Sequence, residues 1–261
     1  MSINYLHVES VNLDELNCYR TLRESISASD NSFVADSPKV VNTLLQADIR
    51  VKSILATREY YEEHKEFLSS KDIPLAYVLD KAHMQKIVGH KIHHNCMMNG
   101  IRPSQTRLED LDENIIMLDD ITSTENIGSI ARSAAALGVT SYLLPKSSPH
   151  PYSRRSLRVS MGHMSKLKYH IYKDILVSIG QLQKSGYKVF AAEITKDSVA
   201  LRKVKPPKKW VLLMGHEGRG ISKEVLDICD EVVNIEMQND VRSMNVGVAA
   251  SIFLYHFKIA H

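Results

Sequence analysis

Trp210-Val-Leu-Leu-Met-Gly215-His-Glu217-Gly218-Arg-Gly220-Ile-Ser222 reads as an apolar strand that runs into a glycine-rich loop and then into a helix beginning near Ser222. Glycines at 215, 218 and 220 let the chain turn tightly and leave backbone groups free to meet a ligand. Taken alone, such a loop could cradle a nucleotide phosphate. Its spacing fits neither Gly-x-Gly-x-x-Gly nor a Walker loop ending in Gly-Lys-Ser/Thr, which lowers that reading.

The same strand, loop and helix order occurs twice more. Asn114-Ile-Ile-Met-Leu118 is a buried-strand candidate that leads through Asp119-Asp-Ile-Thr-Ser-Thr-Glu to Asn126-Ile-Gly128-Ser-Ile-Ala-Arg132. Asn126 is expected to cap the helix that follows, Gly128 to admit close backbone approach, and Arg132 to lie near mid-helix. Val232 to Ile235 forms a third strand candidate, followed by Glu236-Met237 and by Ser243-Met244-Asn245-Val-Gly-Val-Ala-Ala-Ser-Ile252. Ser243 is placed near the cap of a C-terminal helix running from about Asn245 to Phe257. The small residues Gly247, Ala249, Ala250 and Ser251 read as a closely packed face. Strands at 141–144 and 189–194 and helices at 174–183 and 223–228 complete a second α/β unit with a mainly parallel sheet.

Upstream, residues 13–25 read as an amphipathic helix. Strands at 32–36, 51–57 and 74–79 then alternate with helices at 38–46, 59–70 and 81–88, which predicts a small α/β domain. Gly100 to Asp110 carries turn formers and charge without periodicity and reads as a linker. The expected division is residues 1–105, a linker over 106–114, and a second domain over 115–261.

A chain of 261 residues with 44% hydrophobic and 24% charged residues can bury a real core. Cys18, Cys96 and Cys229 stand far apart, which fits reduced thiols better than a disulfide framework. The amino terminus shows no basic and apolar leader, and no stretch approaches a membrane span, so a cytoplasmic protein without membrane contact is expected. His90, His93, His94 and Cys96 have no second ligand group at zinc spacing, and no metal is expected there.

Net charge is only +3, so distribution is more informative than total. From Asn126 through Lys173 there is no Asp or Glu, while Arg132, Lys146, Arg154, Arg155, Arg158, Lys166, Lys168 and Lys173 fall in that window. Phosphate backbones are bound chiefly by charge of this kind, and Arg154, Arg155 and Arg158 are the candidate contacts. A second basic run at 202–209 is equally well read as a solvated surface.

In order and spacing, the three motifs resemble the SpoU/TrmH group of S-adenosylmethionine-dependent RNA ribose methyltransferases. The resemblance covers residues 115–261 closely and the preceding domain more generally. It implies a trefoil-knotted parallel-sheet methyltransferase domain of the SPOUT type preceded by a small α/β RNA-binding domain, in a homodimer with active sites near the subunit interface. It implies S-adenosylmethionine as cofactor and methyl transfer to a ribose 2′-hydroxyl of tRNA or rRNA. By the same resemblance Asn126, Arg132, Glu217, Ser243 and Asn245 form the catalytic pocket. Gly215, Glu217, Gly218, Gly220, Ile235, Met237 and Met244 flank the cofactor. A guanidinium stays protonated in proteins, so Arg132 reads as a phosphate ligand and alkoxide stabiliser.

The sequence departs from the family at Glu236, where proline is usual, at Met244, where leucine is common, and at Gly247, where serine is common. A catalytically silent RNA-binding protein of the same fold is the competing class, and a nucleotide-dependent enzyme is a more distant one.

Overall fold

Alternating apolar runs and amphipathic segments build two separate sheets. The computed structural model describes residues 3–8, 12–20, 31–47, 49–238 and 243–259. They divide into one unit formed by residues 1–104 and 152–165 and a second formed by 105–151 and 166–261. Among the described residues no helix is long and apolar enough to cross a membrane.

In the first unit, β1 (Tyr5–His7), α1 (Asn17–Arg20), β2 (Ser32–Asp36), α2 (Pro38–Gln46), β3 (Val51–Ala56), α3 (Arg58–Glu63), α4 (Lys65–Ser69), β4 (Ala76–Val78), α5 (Lys81–Val88) and β5 (Cys96–Ile101) follow in sequence. The sheet order is β1-β4-β3-β5-β2, with β5 antiparallel to both neighbours. Proline pre-sets the first turn of α2 and Ser37 Oγ accepts from Val40 N, while Val40, Val41, Leu44 and Leu45 turn inward. Asp80 caps α5 in the same way through His83 N.

Three expectations are corrected here. The helix expected over 59–70 is two helices, interrupted at His64, whose ring packs edge-on against Tyr60 at 4.8 Å. The expected linker begins inside β5, a strand paired on both sides whose residues Cys96 to Gly100 are all buried. Its Cys-Met-Met-Asn-Gly run lacks alternation because it is covered on both faces. Of the helix expected over 13–25, residues 14–16 form a 3₁₀ turn and 17–20 a helix, while 21–25 lie outside the described residues.

The remaining piece of this unit comes from far along the chain. Residues 152–165, expected within the second domain, include α7 (Arg154–Val159) and belong here instead. Tyr152 is buried and meets Phe33 of β2 edge-on at 5.4 Å. Arg154 donates through Nη2 and Nε to Asp36 Oδ2 at 2.7 and 3.2 Å, and Arg158 Nη1 lies 3.9 Å from the same oxygen. The Asp36 side chain is only 8% exposed, so these cations are what make its charge tolerable.

The second unit contains β6 (Asn114–Leu118), α6 (Thr124–Ala136), β7 (Ser141–Pro145), β8 (Lys168–Tyr172), α8 (Ile175–Lys184), β9 (Lys188–Ala192), β10 (Val199–Ala200), β11 (Trp210–Met214), α9 (Lys223–Ile228), β12 (Glu231–Asn234) and α10 (Val246–Ile259). Every strand pair is parallel, in the order β10-β12-β9-β11-β6-β7-β8. β11 is central and wholly buried, as its unbroken apolar run demands. The indole of Trp210 is fully buried at its start, edge-on to Phe257 of α10 at 5.1 Å.

Arg154→Ala should leave Asp36 as a poorly compensated buried charge. We expect it to destabilise the first unit by about 3 kcal/mol, the lower end for such losses because Arg158 remains nearby. Urea unfolding followed through amide exchange in β2 measures this, and Asp36→Asn in the same chain should restore part of the loss.

Candidate active site

In parallel α/β sheets ligands bind beyond the carboxyl ends of the strands. Here the loops leaving β9, β11 and β12, with the first turns of α10, enclose a cavity of about 740 Å³. Its wall contains the expected Gly215, Glu217, Gly218, Gly220, Ile235, Met237, Ser243, Met244 and Asn245. Segments from separate parts of the chain thus meet at one site, whose volume suits a small organic molecule.

The glycine loop is held by its own atoms and by its surroundings. His216 Nδ1 accepts from Gly218 N at 2.9 Å and Arg219 N at 3.2 Å, so in this arrangement its ring proton sits on Nε2. Gly220 N donates to His216 O at 2.8 Å, and Gly220 itself has φ +66°, in the left-handed region. Arg219 reaches out of the loop to pair with Asp120, which follows β6. Ser147 Oγ donates to the other Asp120 oxygen at 3.3 Å.

Asp119 lies between that pair and the strand end, and its amide donates to Met214 O at 2.8 Å. Burial, and then the neighbouring Asp120 charge, raise its carboxyl pKa above the ordinary value. Arg219 opposes that rise only in part.

Two helix starts differ from expectation. Ser123, rather than Asn126, caps α6: its Oγ accepts from Asn126 N at 3.3 Å. Asn126 lies inside the first turn, where its side-chain oxygen is available to accept from Asn245 Nδ2 at 3.1 Å. At α10, Asn245 rather than Ser243 is the cap, its Oδ1 accepting from Gly247 N at 2.8 Å and Val248 N at 3.2 Å. One amide side chain therefore caps α10 with its oxygen and grips α6 with its nitrogen. Asn126 is brought to the edge of the cavity in this way.

Small residues allow the two helices to approach. A Cβ on Gly247 would lie 2.4 Å from Ser129 Oγ, so the glycine found where the resembled family commonly has serine is required by Ser129. One turn on, the Ser133 and Ser251 hydroxyls share a hydrogen bond of 2.8 Å. Glu236, in the place of the usual proline, is ion-paired with Arg202, so the charge it adds to the loop after β12 is answered locally.

Arg132 is not in the cavity wall. It is exposed on α6 and makes no ion pair with any described residue. Of the basic window, Arg154 is spent on Asp36 and Lys168 on Asp112 at 2.6 Å, while Arg155 and Arg158 are exposed. The second basic run also has local partners. Lys208 pairs with Glu113 at 2.7 Å, and Lys209 donates to Ser185 O at 3.2 Å. Sequence reasoning missed Glu193 and Phe253 in the wall, since neither belongs to a recognisable motif.

A profile of the SpoU rRNA Methylase family matches residues 113–255. An uncharacterized tRNA/rRNA methyltransferase of Mycobacterium bovis is 27% identical over 229 residues, covering 85% of this chain and 79% of the relative. The AdoMet-bound rRNA methyltransferase from Sinorhizobium meliloti superimposes with a TM-score of 0.83 at 20% identity, covering 98% of each chain. A solved RNA 2′-O ribose methyltransferase gives a TM-score of 0.79 at 19% identity, covering 97% of this chain and 98% of that one. At such identities these two structural likenesses establish the fold.

The raised Asp119 pKa has a stability consequence of definite sign. A carboxyl that holds its proton more tightly when folded makes the native state lose relative stability as pH rises from the ordinary range through the raised value. Asp119→Asn should therefore raise the unfolding midpoint at pH 7 and give a smaller gain at pH 3, below the raised value. Paired thermal melts at the two pH values check this.

Proposed function

The chain belongs to the SpoU rRNA methylase family, and from that premise we propose that it transfers a methyl group from S-adenosylmethionine to a ribose 2′-hydroxyl of tRNA or rRNA in the cytoplasm. The observation that carries this reading is the convergence of the glycine loop, the Ile235–Met237 segment and the Ser243–Asn245 segment on one cavity whose edge is joined to Asn126. The cavity suits the cofactor in kind. Ile235, Met237, Met244 and Phe253 offer apolar surface to a base, and the turns of the glycine loop offer backbone polar groups. When bound, S-adenosylmethionine supplies an electrophilic methyl group on a sulfonium.

The remaining work falls to this chain's residues. Chemistry of this kind rests mainly on positioning the hydroxyl in line with the methyl carbon. Asn126 and Asn245 hold each other in fixed orientation beside the cavity, with Ser243 next to them, and we assign them to orienting the ribose. Glu217, exposed on the glycine loop, is assigned to the same pocket. Arg132 is assigned to the RNA phosphate and to the alkoxide that develops on the 2′-oxygen. Arg155 and Arg158 are assigned to the RNA backbone, and residues 1–104 with 152–165 to substrate binding. Arg154 serves the same surface through Asp36, by holding α7 in place.

We further propose a homodimer. On α10, Val248, Ile252, Tyr255 and Ile259 recur at helical spacing and are 53%, 39%, 57% and 58% exposed. A contiguous apolar stripe on a helix that also builds the cavity is the signature of a buried contact. That Arg132 lies outside the cavity wall supports a site completed at such an interface. The knotted course is likewise proposed, from membership of the family.

Calorimetry should show S-adenosylmethionine binding, and labelled methyl groups should enter RNA as alkali-resistant 2′-O-methyl nucleotides. RNA binding without transfer would select the catalytically silent reading instead. Arg132→Ala should lower turnover at least about a hundredfold with cofactor affinity unchanged, and Arg132→Lys should fail as well, since a point charge does not replace a planar fork. Single-turnover assays on bulk RNA measure both. Ile252→Glu with Tyr255→Glu should convert the dimer to a monomer in light scattering and abolish transfer.

A further inference from the structure

Glu193 immediately follows β9 and lines the cavity without belonging to any of the three motifs. Its backbone amide donates to Val233 O of β12 at 3.1 Å, which fixes the start of the side chain against a neighbouring strand. Its carboxylate then spans to the glycine loop. Oε2 accepts from Ile221 N at 2.9 Å, and Oε1 accepts from Ile194 N at 3.0 Å. The loop begins at Gly215, the residue after β11, so the bond to Ile221 fastens its far end to a different strand.

The residue beside that bond confirms how closely the carboxylate is seated. A Cβ on Gly220 would lie 2.2 Å from Glu193 Oε2, so the carboxylate fills the space that a side chain there would need. We propose that Glu193 is a positioning residue for cofactor binding: it staples the glycine loop to β9 and β12, holding the cavity's backbone groups in place before the cofactor arrives. This rests on the reading of the cavity as the S-adenosylmethionine site.

Only a carboxylate suits both amides. Each oxygen accepts one N–H, and an ionised acceptor makes the stronger bond. Glutamine would keep one acceptor and turn an NH₂ group toward the other amide, where two donors would oppose each other. Alanine would release the loop altogether. The role is indirect, through the loop, and Glu193 itself is assigned no contact with the reacting atoms.

The test uses the full chain. Calorimetry with S-adenosylmethionine, steady-state KM for cofactor and for RNA, and Trp210 fluorescence during unfolding are measured for wild type, Glu193→Gln, Glu193→Ala, Gly220→Ala and the Glu193→Ala/Gly220→Ala double variant. Loss of a hydrogen bond to a charged group predicts cofactor affinity weakened at least roughly tenfold in Glu193→Gln. The KM for RNA and the unfolding midpoint should stay near wild type. Gly220→Ala should weaken cofactor binding strongly in the wild-type background, and less so once Glu193→Ala has removed the obstructing carboxylate. Unchanged cofactor affinity in Glu193→Gln, a parallel loss in both KM values and stability, or strictly additive effects of the two alanines would overturn the role. Failure of the wild type to bind S-adenosylmethionine would instead overturn the cofactor reading beneath it, and the proposal with it.

Discussion

The hydrogen bond between Asn245 and Asn126 is the contact on which the second unit's site depends. It joins the first turns of α6 and α10 at the carboxyl edge of the sheet. Beside it, Gly247 leaves the room that Ser129 Oγ occupies between the two helices. Asn245 meets two demands at once, since its oxygen caps α10 while its nitrogen donates to Asn126. A carboxylate could accept at the cap but could not donate to Asn126, which is why an amide suits this position better.

The glycine loop shows the complementary problem. Glycines give the chain freedom to turn, and that freedom must be removed again if a ligand is to bind without a large ordering cost. Three polar contacts remove it: His216 from within the loop, Arg219 to Asp120 after β6, and Glu193 after β9. Asp119 is partly buried at the end of β6 and stands beside Asp120, and its raised pKa reflects first that burial and then the neighbouring charge. Binding sites commonly accept strain of this kind in exchange for fixed geometry.

The first unit illustrates how a charged run acquires different duties. Arg154, Arg155 and Arg158 share one short helix, yet Asp36 takes Arg154 fully and Arg158 at longer range. A buried carboxylate selects the guanidinium that can reach it with two donors, and what is left exposed faces solvent. The RNA surface proposed here is therefore smaller than the count of basic residues suggests.

The order of elements was readable from the chain because each depends on near neighbours. Pro38 with Ser37, Ser222 ahead of α9, and the unbroken apolar run of β11 all stand where local chemistry puts them. The three motifs could likewise be read, since glycines, amides and a strand ahead of them lie within a dozen residues of one another. Decisions that join distant segments were not readable. Ser123 and Asn126 both carry a capping oxygen, and what distinguishes them is Asn245, 119 positions away. The place of β5 between β3 and β2, the membership of residues 152–165 in the first unit, and the grip of Glu193 on Ile221 have the same character. Local propensity ranks the conformations open to a segment, whereas a buried charge or an unpaired amide is satisfied by whatever group the tertiary fold brings within about 3 Å.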